Sequence, residues 1–250
     1  MIDPREKIIK ERFRNIKRIV SVAAGKGGVG KTLIATSLAL ALSRRKYKVG
    51  LFDLDFYGPS CHVVLGVKDI FPKEEKGIIP PTVYDISLMS IIFFAKEEPL
   101  PLRGKEVSDA IIELMAITRW GSLDFLIIDL PPGIGEETLE VIRFLRDSEF
   151  LLITTPSKLS LEVVQRLIKL LKSTNVNILG LIENMAMNNY MGVSKKLANK
   201  NGIQFLGSIR FDKEIEPAIG NPEKLVSTQF FTELEKIVER IFLTNQSHQY

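Results

Sequence analysis

The glycine-rich segment AAGKGGVGKT, residues 23–32, restricts the fold of this chain more than any other part of its sequence. Gly25, Gly27 and Gly30 have the G-x-G-x-x-G spacing of dinucleotide-binding folds, and residues 25–32 also have the G-x-x-x-x-G-K-[ST] spacing of P-loops. Both patterns describe a loop that binds phosphate between a buried strand and a helix. The segment therefore predicts a nucleotide-binding α/β fold, with hydride transfer and phosphoryl transfer as the two chemistries that it allows.

Apolar strands and helical patterns alternate along the chain, as in a doubly wound α/β domain. Strands that are apolar throughout are expected where helices cover both faces of a parallel sheet. We therefore predict a mostly parallel sheet flanked by helices, in a single domain over residues 18–245. A basic helical extension at residues 1–17 is expected to be loosely docked, residues 66–102 to form a loop and an edge hairpin, and residues 246–250 to be a tail. The predicted strands contain RIVSVAA, KVGLFDLD, DFLIIDLPP, FLLITTP, VNILGLIENM and IQFLGSI, and the first helix contains LIATSLALALSRR.

The composition favours a soluble protein of a reducing compartment. Hydrophobic residues make up 45% of the chain and charged residues 26%, which is typical of a globular domain. The longest apolar runs, such as ISLMSIIFFA, are too short to span a bilayer, so we expect no membrane anchor. Cys61 is the one cysteine, which excludes a disulfide within the chain and favours the cytoplasm. In the basic N-terminal segment only Phe13 is aromatic, so nucleic acid is not an expected partner.

Three features favour the P-loop over the dinucleotide fold. Lys31 and Thr32 directly follow the last glycine, and a P-loop needs an ammonium for the phosphates and a hydroxyl for Mg²⁺. The run LIIDLPPG places Asp129 at the end of an apolar strand, where an acid can hold Mg²⁺ through water. Asp53 and Asp55 are two residues apart, so an extended segment would present both on one face, one for the metal ion and one for the attacking water. Together these features predict phosphoryl chemistry with Mg²⁺.

Lys26 is a second lysine in the same loop, which phosphate binding within one chain does not require. It is either a solvated surface residue or a cation that reaches the phosphates bound by a second protomer. A cation supplied in trans stabilises the charge that develops during phosphoryl transfer.

The loop GKGGVGKT resembles the deviant Walker A loop of the MinD/ParA-like ATPases, in which the early lysine marks ATP-dependent sandwich dimers. The similarity narrows to the Mrp type of this class, also called ApbC, whose members are iron–sulfur cluster carriers. The matching segments extend from about residue 19 to residue 212 and are DLDFYGPS, WGSLDFLIIDLPPGIGEE, ITTP, ILGLIENM and FLGSIRFD. The resemblance implies a slow, Mg²⁺-dependent ATPase that binds ATP and forms a homodimer.

The resemblance also implies catalytic and metal-binding residues. Lys26 would act in trans, Lys31 would bind phosphate in its own protomer, and Asp55 would orient or activate the attacking water. The implied Mg²⁺ ligands, direct for the first and through water for the other two, are Thr32, Asp53 and Asp129.

Two further matching positions concern the adenine base. Asn184 would hydrogen-bond the adenine edge, since its amide offers both a donor and an acceptor. Arg210 stands where the family often has a proline, so the adenine wall is expected to differ. The full set of implied nucleotide-binding residues is Gly25, Lys26, Gly27, Gly28, Val29, Gly30, Lys31, Thr32, Leu33, Asn184 and Arg210.

One departure from the family bears on function. Mrp-type carriers have a C-x-x-C shortly after the ENM segment, which binds an iron–sulfur cluster shared between protomers. Here that region reads ENMAMNNYMGVSKKLANKNG and contains no cysteine, so the usual thiolate ligands are missing. Cys61 and His62 follow the GPS turn near the predicted site, where two protomers could offer two thiolates. The other interpretation is an apolar thiol packed under the loop, with a solvated histidine beside it.

Four functions are compatible with these patterns. The first is an ATPase that assists iron–sulfur cluster or metal delivery, as a partner of a cysteine-bearing paralogue or an iron–sulfur apoprotein. The second is an ATP-gated dimerisation switch, similar to MinD or ParA, that recruits or regulates a protein partner. A small-molecule kinase or amidoligase would need a substrate-specific lid, and no long Arg-rich insertion is seen. A nicotinamide oxidoreductase, the fourth, would use Asp53 to hold a ribose hydroxyl.

Overall fold

The computed structural model describes residues 3–95, 104–187 and 192–243, so the predicted tail lies outside the described residues. The strands, numbered in chain order, are β1 (Ile16–Ala24), β2 (Val49–Asp53), β3 (Lys73–Glu74), β4 (Ile78–Ile79), β5 (Thr82–Val83), β6 (Ile86–Ser90), β7 (Leu123–Asp129), β8 (Glu149–Thr154), β9 (Asn177–Ala186) and β10 (Phe205–Arg210). The helices are α1 (Arg5–Phe13), α2 (Lys31–Arg44), α3 (Cys61–Val64), α4 (Ile92–Ala95), α5 (Lys105–Ile117), α6 (Glu136–Phe144), α7 (Lys158–Ser173), α8 (Val193–Lys200), α9 (Pro222–Leu225) and α10 (Gln229–Val238).

Eight strands form one sheet in the order β10-β9-β8-β1-β7-β2-β6-β5. Neighbouring strands are parallel throughout, except that β5 runs antiparallel to β6. The short strands β3 and β4 form a separate antiparallel pair. This architecture confirms the predicted doubly wound, mostly parallel sheet flanked by helices.

Alternate residues of the central strands face two separate cores, because side chains alternate between the faces of a sheet. In β7, Phe125 and Ile127 belong to one core, and Leu126 and Ile128 belong to the other. Helices α2 and α10 cover the first core, whereas α1, α5, α6 and α7 cover the second. Burial on both faces is the reason why these strands have continuous apolar sequences.

The N-terminal helix α1 is packed into the protein, so the expectation of a loosely docked extension is wrong. Ile9 and Phe13 are 0% and 6% exposed, in the core that α5 and α6 also cover. Strand β1 begins at Ile16, inside the predicted extension. Charged residues dominate the sequence of α1, and two apolar residues one turn apart are a weak periodic signal even though they suffice to dock a short helix.

Residues 66–102 contain the predicted edge hairpin, formed by β5 and β6; residues 96–102 lie outside the described part. Strand β6 also pairs in parallel with β2, with Val49 opposite Ile86 and Asp53 opposite Ser90. It therefore belongs to the main sheet, and its carboxyl end joins the edge at which ligands of such sheets bind. None of the helices in the described ranges is long and apolar enough to cross a membrane.

Helix α10 closes the first core, and this generates a stability prediction. Phe230 is 0% exposed, so Phe230→Ala should lower the free energy of unfolding by about 3–5 kcal/mol, through lost burial and the cavity left behind. Lys236→Ala, at an exposed position of the same helix, is the control and should change it by less than about 0.5 kcal/mol. Urea unfolding followed by circular dichroism measures both, and equal losses in the two variants would contradict the packing role of α10.

Candidate functional site

The carboxyl ends of three neighbouring strands bring the predicted acids together. In the sheet register Asp53 of β2 lies opposite Asp129 of β7, Asp129 lies opposite Val22 of β1, and Asp53 also lies opposite Ser90 of β6. Parallel strands end at a common edge, so side chains far apart in sequence meet there. Both aspartates are fully buried, so their charges need partners within the protein or a bound cation.

The predicted phosphate loop occupies residues 25–30, between β1 and α2. Gly28 and Gly30 have φ angles of +75° and +81°, a left-handed conformation that favours glycine. Gly25 packs against α7, where an added Cβ would lie 2.7 Å from the backbone of Val163. The loop therefore needs glycine at these positions, and it leads into a helix N-terminus whose N–H groups can bind an anion.

Lys31 and Thr32, the first residues of α2, both bind Asp129. The Lys31 ammonium pairs with Asp129 Oδ1, and Thr32 Oγ1 donates to Asp129 Oδ2 at 2.7 Å. Lys31 is 6% exposed and Asp129 is 0% exposed. Burial raises the pKa of Asp129, even though the Lys31 charge and the two hydrogen bonds act to lower it. The predicted phosphate lysine and two predicted metal-binding residues are thus in direct contact.

Asp53 is held by three donors from two segments of the chain. Its Oδ2 accepts the backbone N–H groups of Ser60 and Cys61, at 3.1 and 3.2 Å, and the Ser90 hydroxyl at 3.4 Å. Burial and the nearby Asp129 charge raise the pKa of Asp53 from its ordinary value of 3.8 to about 7. A second cation is therefore needed before both carboxylates can ionise without a cost in stability.

Asp55 lies two residues beyond Asp53, at which β2 ends, so the strand does not extend over both acids. Its N–H donates to Asp53 Oδ1 at 3.2 Å, and its own Oδ1 accepts the Gly58 N–H at 3.1 Å. Asp55 is half-buried. The hydrogen bond from Gly58 orients the Asp55 carboxylate, because a short polar side chain can hydrogen-bond to a backbone N–H a few residues ahead.

The remaining loop residues differ in exposure. The Lys26 side chain is half-buried and has no hydrogen bond or ion pair to any described residue. Gly27 and Gly28 are exposed, Val29 is buried in the core, and half-buried Leu33 packs against it. The polar part of the loop is therefore open to solvent while its apolar part anchors it.

Asn184 and Arg210 lie at the ends of neighbouring strands but have different surroundings. Asn184 is 2% exposed, and its side-chain Nδ2 donates to the Val29 carbonyl at 2.9 Å. This hydrogen bond joins the end of β9 to the predicted phosphate loop. Arg210 is exposed and its guanidinium pairs with Glu233 at 2.6 Å. The structure brings Asn184 to the loop, whereas Arg210 is held at the surface by α10.

Two polar residues near the site were missed by sequence reasoning. Ser90 contacts Asp53. The sequence pattern predicts only an edge hairpin for its strand. The one local signal for a site residue there is an apolar run that ends in a serine. Glu137, in the first turn of α6, is 4% exposed and its Oε1 has no hydrogen-bond partner in the described structure. Burial raises the pKa of Glu137. It lines a 610 Å³ cleft together with Asp55 and Tyr57.

The donor set at the sheet edge fits a hard divalent cation. Thr32 supplies a hydroxyl, Asp53 and Asp129 supply carboxylates, and Mg²⁺ prefers oxygen ligands of this kind. Nearby, one donor atom each from Asp53, Cys61 and Asp129 lie within 4.8 Å of one another. Burial raises the pKa of both aspartates, so a bound cation would favour their ionised forms. The chemistry of this group therefore suits both ligands. Lys31 suits phosphate, and the oxygens of Thr32, Asp53 and Asp129 suit a metal ion.

Comparisons with known proteins agree with this geometry. A model of the family described as NUBPL iron-transfer P-loop NTPase matches residues 15–244. An iron–sulfur cluster carrier protein from Aquifex aeolicus is 34% identical over 255 aligned positions, covering 93% of this chain and 70% of that protein. A nucleotide-binding protein from Archaeoglobus fulgidus, solved in complex with ADP, has a TM-score of 0.72 at 28% identity, covering 98% and 97% of the two chains. The septum site-determining protein MinD from Pyrococcus horikoshii, solved with Mg-ADP, has a TM-score of 0.69 at 21% identity, covering 92% and 97%, which supports the fold alone.

The raised pKa of Asp53 predicts a pH-dependent stability of the protein without nucleotide and metal. The folded protein favours the protonated form of Asp53. Ionisation of Asp53 therefore leaves the free energy of unfolding unchanged below pH 3.8 and lowers it increasingly as the pH rises to about 7. The unfolding free energy of Asp53→Asn, minus that of the wild type, should therefore increase by a few kcal/mol over this range. Urea unfolding at a series of pH values measures the difference.

The Asp53→Asn substitution also removes hydrogen bonds, which changes the free energy of unfolding by the same amount at every pH. Only the change of the difference with pH therefore reports the pKa of Asp53. Adding Mg²⁺ and ADP should flatten the trend, because a bound cation favours the ionised acid. A difference between variant and wild type that stays constant with pH would contradict the buried, raised pKa of Asp53.

Proposed function

This chain belongs to the family of NUBPL iron-transfer P-loop NTPases, and from that membership we propose that it is a Mg²⁺-dependent ATP-binding protein and slow ATPase that acts as an ATP-sandwich dimer in iron–sulfur cluster assembly. The membership agrees with the Mrp-type resemblance of its sequence. Relatives named iron–sulfur cluster carrier protein support the assembly role, and the ADP complex of the Archaeoglobus fulgidus protein supports nucleotide binding.

The contact of Lys31 and Thr32 with Asp129 is the observation that carries this proposal. A lysine, a hydroxyl and an acid meet at the start of α2, directly after a glycine loop in the left-handed conformation. A P-loop needs these three groups to bind the β- and γ-phosphates and a hydrated metal ion. A plain glycine turn would not require a buried lysine and a buried acid beside it.

Nucleotide binding would rearrange the charges of this cluster. Without a nucleotide, the Lys31 ammonium neutralises part of Asp129. The phosphates carry more negative charge than one carboxylate, so Lys31 would turn toward them and leave Asp129 to a cation. The loop N–H groups from Gly27 to Leu33 would bind the phosphate oxygens. Bound Mg²⁺, held by Thr32 with Asp53 and Asp129, would neutralise charge on the β- and γ-phosphates.

Lys26 and Asp55 would act on the hydrolysis step. Lys26 has no partner among the described residues and lies beside exposed glycines, which suits a cation that reaches across a dimer. Asp55 is half-buried beside the carboxylates and accepts the Gly58 N–H, which orients its side chain. An oriented carboxylate at this place would position the attacking water. Asn184 would contribute to adenine binding through its carbonyl oxygen, since its Nδ2 already donates to Val29.

The cluster role needs a second protein, because this chain lacks the C-x-x-C and has a single, buried cysteine. We propose that a cysteine-bearing paralogue or an iron–sulfur apoprotein supplies the thiolates, while this chain supplies the ATP-dependent step. The same missing cysteines favour a second candidate function, an ATP-gated dimerisation switch that recruits or regulates a protein partner. The likeness of fold to MinD is compatible with both.

The separate roles proposed for Lys26 and Lys31 predict different defects, one in ATP hydrolysis and one in ATP binding. Lys26→Ala should bind ATP with nearly unchanged affinity but hydrolyse it about 10³-fold more slowly, because a trans cation acts in the transition state. Lys31→Ala should weaken ATP binding about 10- to 100-fold, since it removes a charged hydrogen bond. Steady-state turnover and titration calorimetry measure the two effects.

Mixing the two variants tests action in trans. In a mixed dimer the Lys26→Ala protomer binds ATP and receives Lys26 from the Lys31→Ala protomer, so hydrolysis should return to a substantial part of the wild-type rate. A Lys26→Ala variant with wild-type turnover would overturn the trans role, and a mixture as inactive as its components would count against the dimer.

Reconstitution with iron and sulfide tests the cluster role of the isolated chain. Under anaerobic conditions the purified protein should hold no stable, stoichiometric cluster, because its one thiol is buried and the family's usual ligands are missing. Metal and sulfide analysis with a visible absorption spectrum measures this. A stoichiometric cluster that disappears in Cys61→Ala would instead mean that the chain carries a cluster with unfamiliar ligands.

A further inference from the structure

Cys61 lies at the floor of the nucleotide site rather than at the protein surface. It is the first residue of α3, is fully buried, and its Sγ is 3.7 Å from Asp129 Oδ2. Its N–H donates to Asp53 Oδ2 at 3.2 Å. A sulfur, with one oxygen from each aspartate, therefore forms a compact group in which all three atoms are within 4.8 Å of one another.

A second polar side chain points to the same place. Thr36 follows Thr32 by one turn of α2, is 0% exposed, and its Oγ1 has no hydrogen-bond partner in the described structure. It lies next to the Cys61 sulfur, whose thiolate form it would stabilise by a hydrogen bond. A buried hydroxyl without a partner is costly, and a thiolate sulfur beside it would supply an acceptor.

The charges of this group balance when a divalent ion and a thiolate are added together. The Cys61 thiol donates to Asp129 Oδ2, so the sulfur carries its proton in this arrangement. A coordinating metal ion displaces that proton. The thiolate and two carboxylates carry three negative charges, and the ion with Lys31 carries three positive ones. The thiol proton, together with the proton that Asp53 carries below its raised pKa, is released to solvent as the ion binds.

We propose that Asp53, Cys61 and Asp129 form a site for a single thiophilic divalent transition metal ion, of which Zn²⁺ is the type, in the nucleotide-free protein. Mg²⁺ takes oxygen ligands in octahedral geometry, whereas Zn²⁺ prefers thiolate and fewer ligands. The proposal rests on the proposed function, because the site shares both aspartates with the Mg²⁺ of the nucleotide complex. Binding of the transition metal ion and binding of Mg²⁺ with ATP therefore exclude one another.

His62 is the neighbouring residue that a metal site would be expected to use, yet it faces elsewhere. Its ring lines a groove of about 1300 Å³ with Val67 and Phe71, and its Nδ1 is buried with no hydrogen-bond partner in the part of the chain that the structure describes. It is therefore a matched control for Cys61, because it is adjacent in sequence and is itself a good metal ligand.

A titration of the full chain with Co²⁺ alone, in buffer free of thiols and nucleotide, tests the proposal. Co²⁺ substitutes for spectroscopically silent Zn²⁺, and a thiolate ligand produces a charge-transfer band in the near ultraviolet. The chain has one cysteine, so any such band reports Cys61. We expect one Co²⁺ per chain with this band, its retention in His62→Ala, and its loss in Cys61→Ser with an affinity at least about tenfold weaker.

Two further measurements keep the test independent of that variant. Thr36→Val should keep the band but weaken Co²⁺ binding about two- to tenfold, since it removes one hydrogen bond to sulfur. Mg²⁺ with ATP should abolish the band of the wild type by competition. Circular dichroism checks that each variant is folded.

The proposal is overturned if the folded wild type saturated with Co²⁺ shows no band, or if the band survives Cys61→Ser. Separate calorimetry of ATP binding with Mg²⁺ tells this failure from a failure of the proposed function. Tight ATP binding without a Co²⁺–thiolate band rejects the metal site alone, and a band without ATP binding rejects the nucleotide role alone. A band that persists at saturating Mg²⁺ and ATP rejects the shared site.

Discussion

Two carboxylates buried side by side under a glycine loop constrain the rest of this site. Asp53 and Asp129 are opposite each other in the sheet register, and among the residues that the structure describes only the Lys31 ammonium pairs with either of them. A pair of buried negative charges with one positive charge is unstable unless protons or cations are added. The raised pKa of Asp53 is the consequence within the protein alone. Binding of a metal ion and a nucleotide removes the same imbalance, which is why the cluster suits an ATPase.

The sheet accounts for how these groups meet. The parallel strands β1, β7 and β2 end at one edge of the sheet, and the loop after β1 leads there into α2. Lys31 and Thr32 therefore meet Asp129, which lies about 100 residues further along the chain. Backbone donors from residues 60 and 61 and the Ser90 hydroxyl hold Asp53 in place. Such preorganised contacts keep the acid oriented before a ligand arrives. The same contacts place the Cys61 sulfur beside Asp129.

The missing C-x-x-C separates nucleotide chemistry from cluster chemistry in this member of the family. The residues proposed for nucleotide and Mg²⁺ binding lie together, since Lys31 and Thr32 contact Asp129 and Asp53 is beside it. In place of the family's C-x-x-C thiolates, this chain has the single sulfur of Cys61, which lies beside Asp129. The proposed carrier that works with a cysteine-bearing partner and the proposed site for one thiophilic ion are both compatible with that placement. They differ in whether the metal is held as a cluster between proteins or as a single ion within this chain.

The sequence by itself determined the features that depend on local pattern. The glycine spacing with Lys31 and Thr32, the apolar strands and the acids at their ends specify a phosphate loop on a parallel sheet, because strand burial and phosphate binding each need particular residues at short, fixed spacing. Only the tertiary structure decided the rest: α1 docks through Ile9 and Phe13, β6 joins the main sheet, and Asn184 holds the loop through Val29. It also decided that Arg210 pairs with Glu233 and that Cys61 lies against Asp129. These contacts join segments distant in sequence, and no local pattern encodes which distant side chain will fill the space beside a given one.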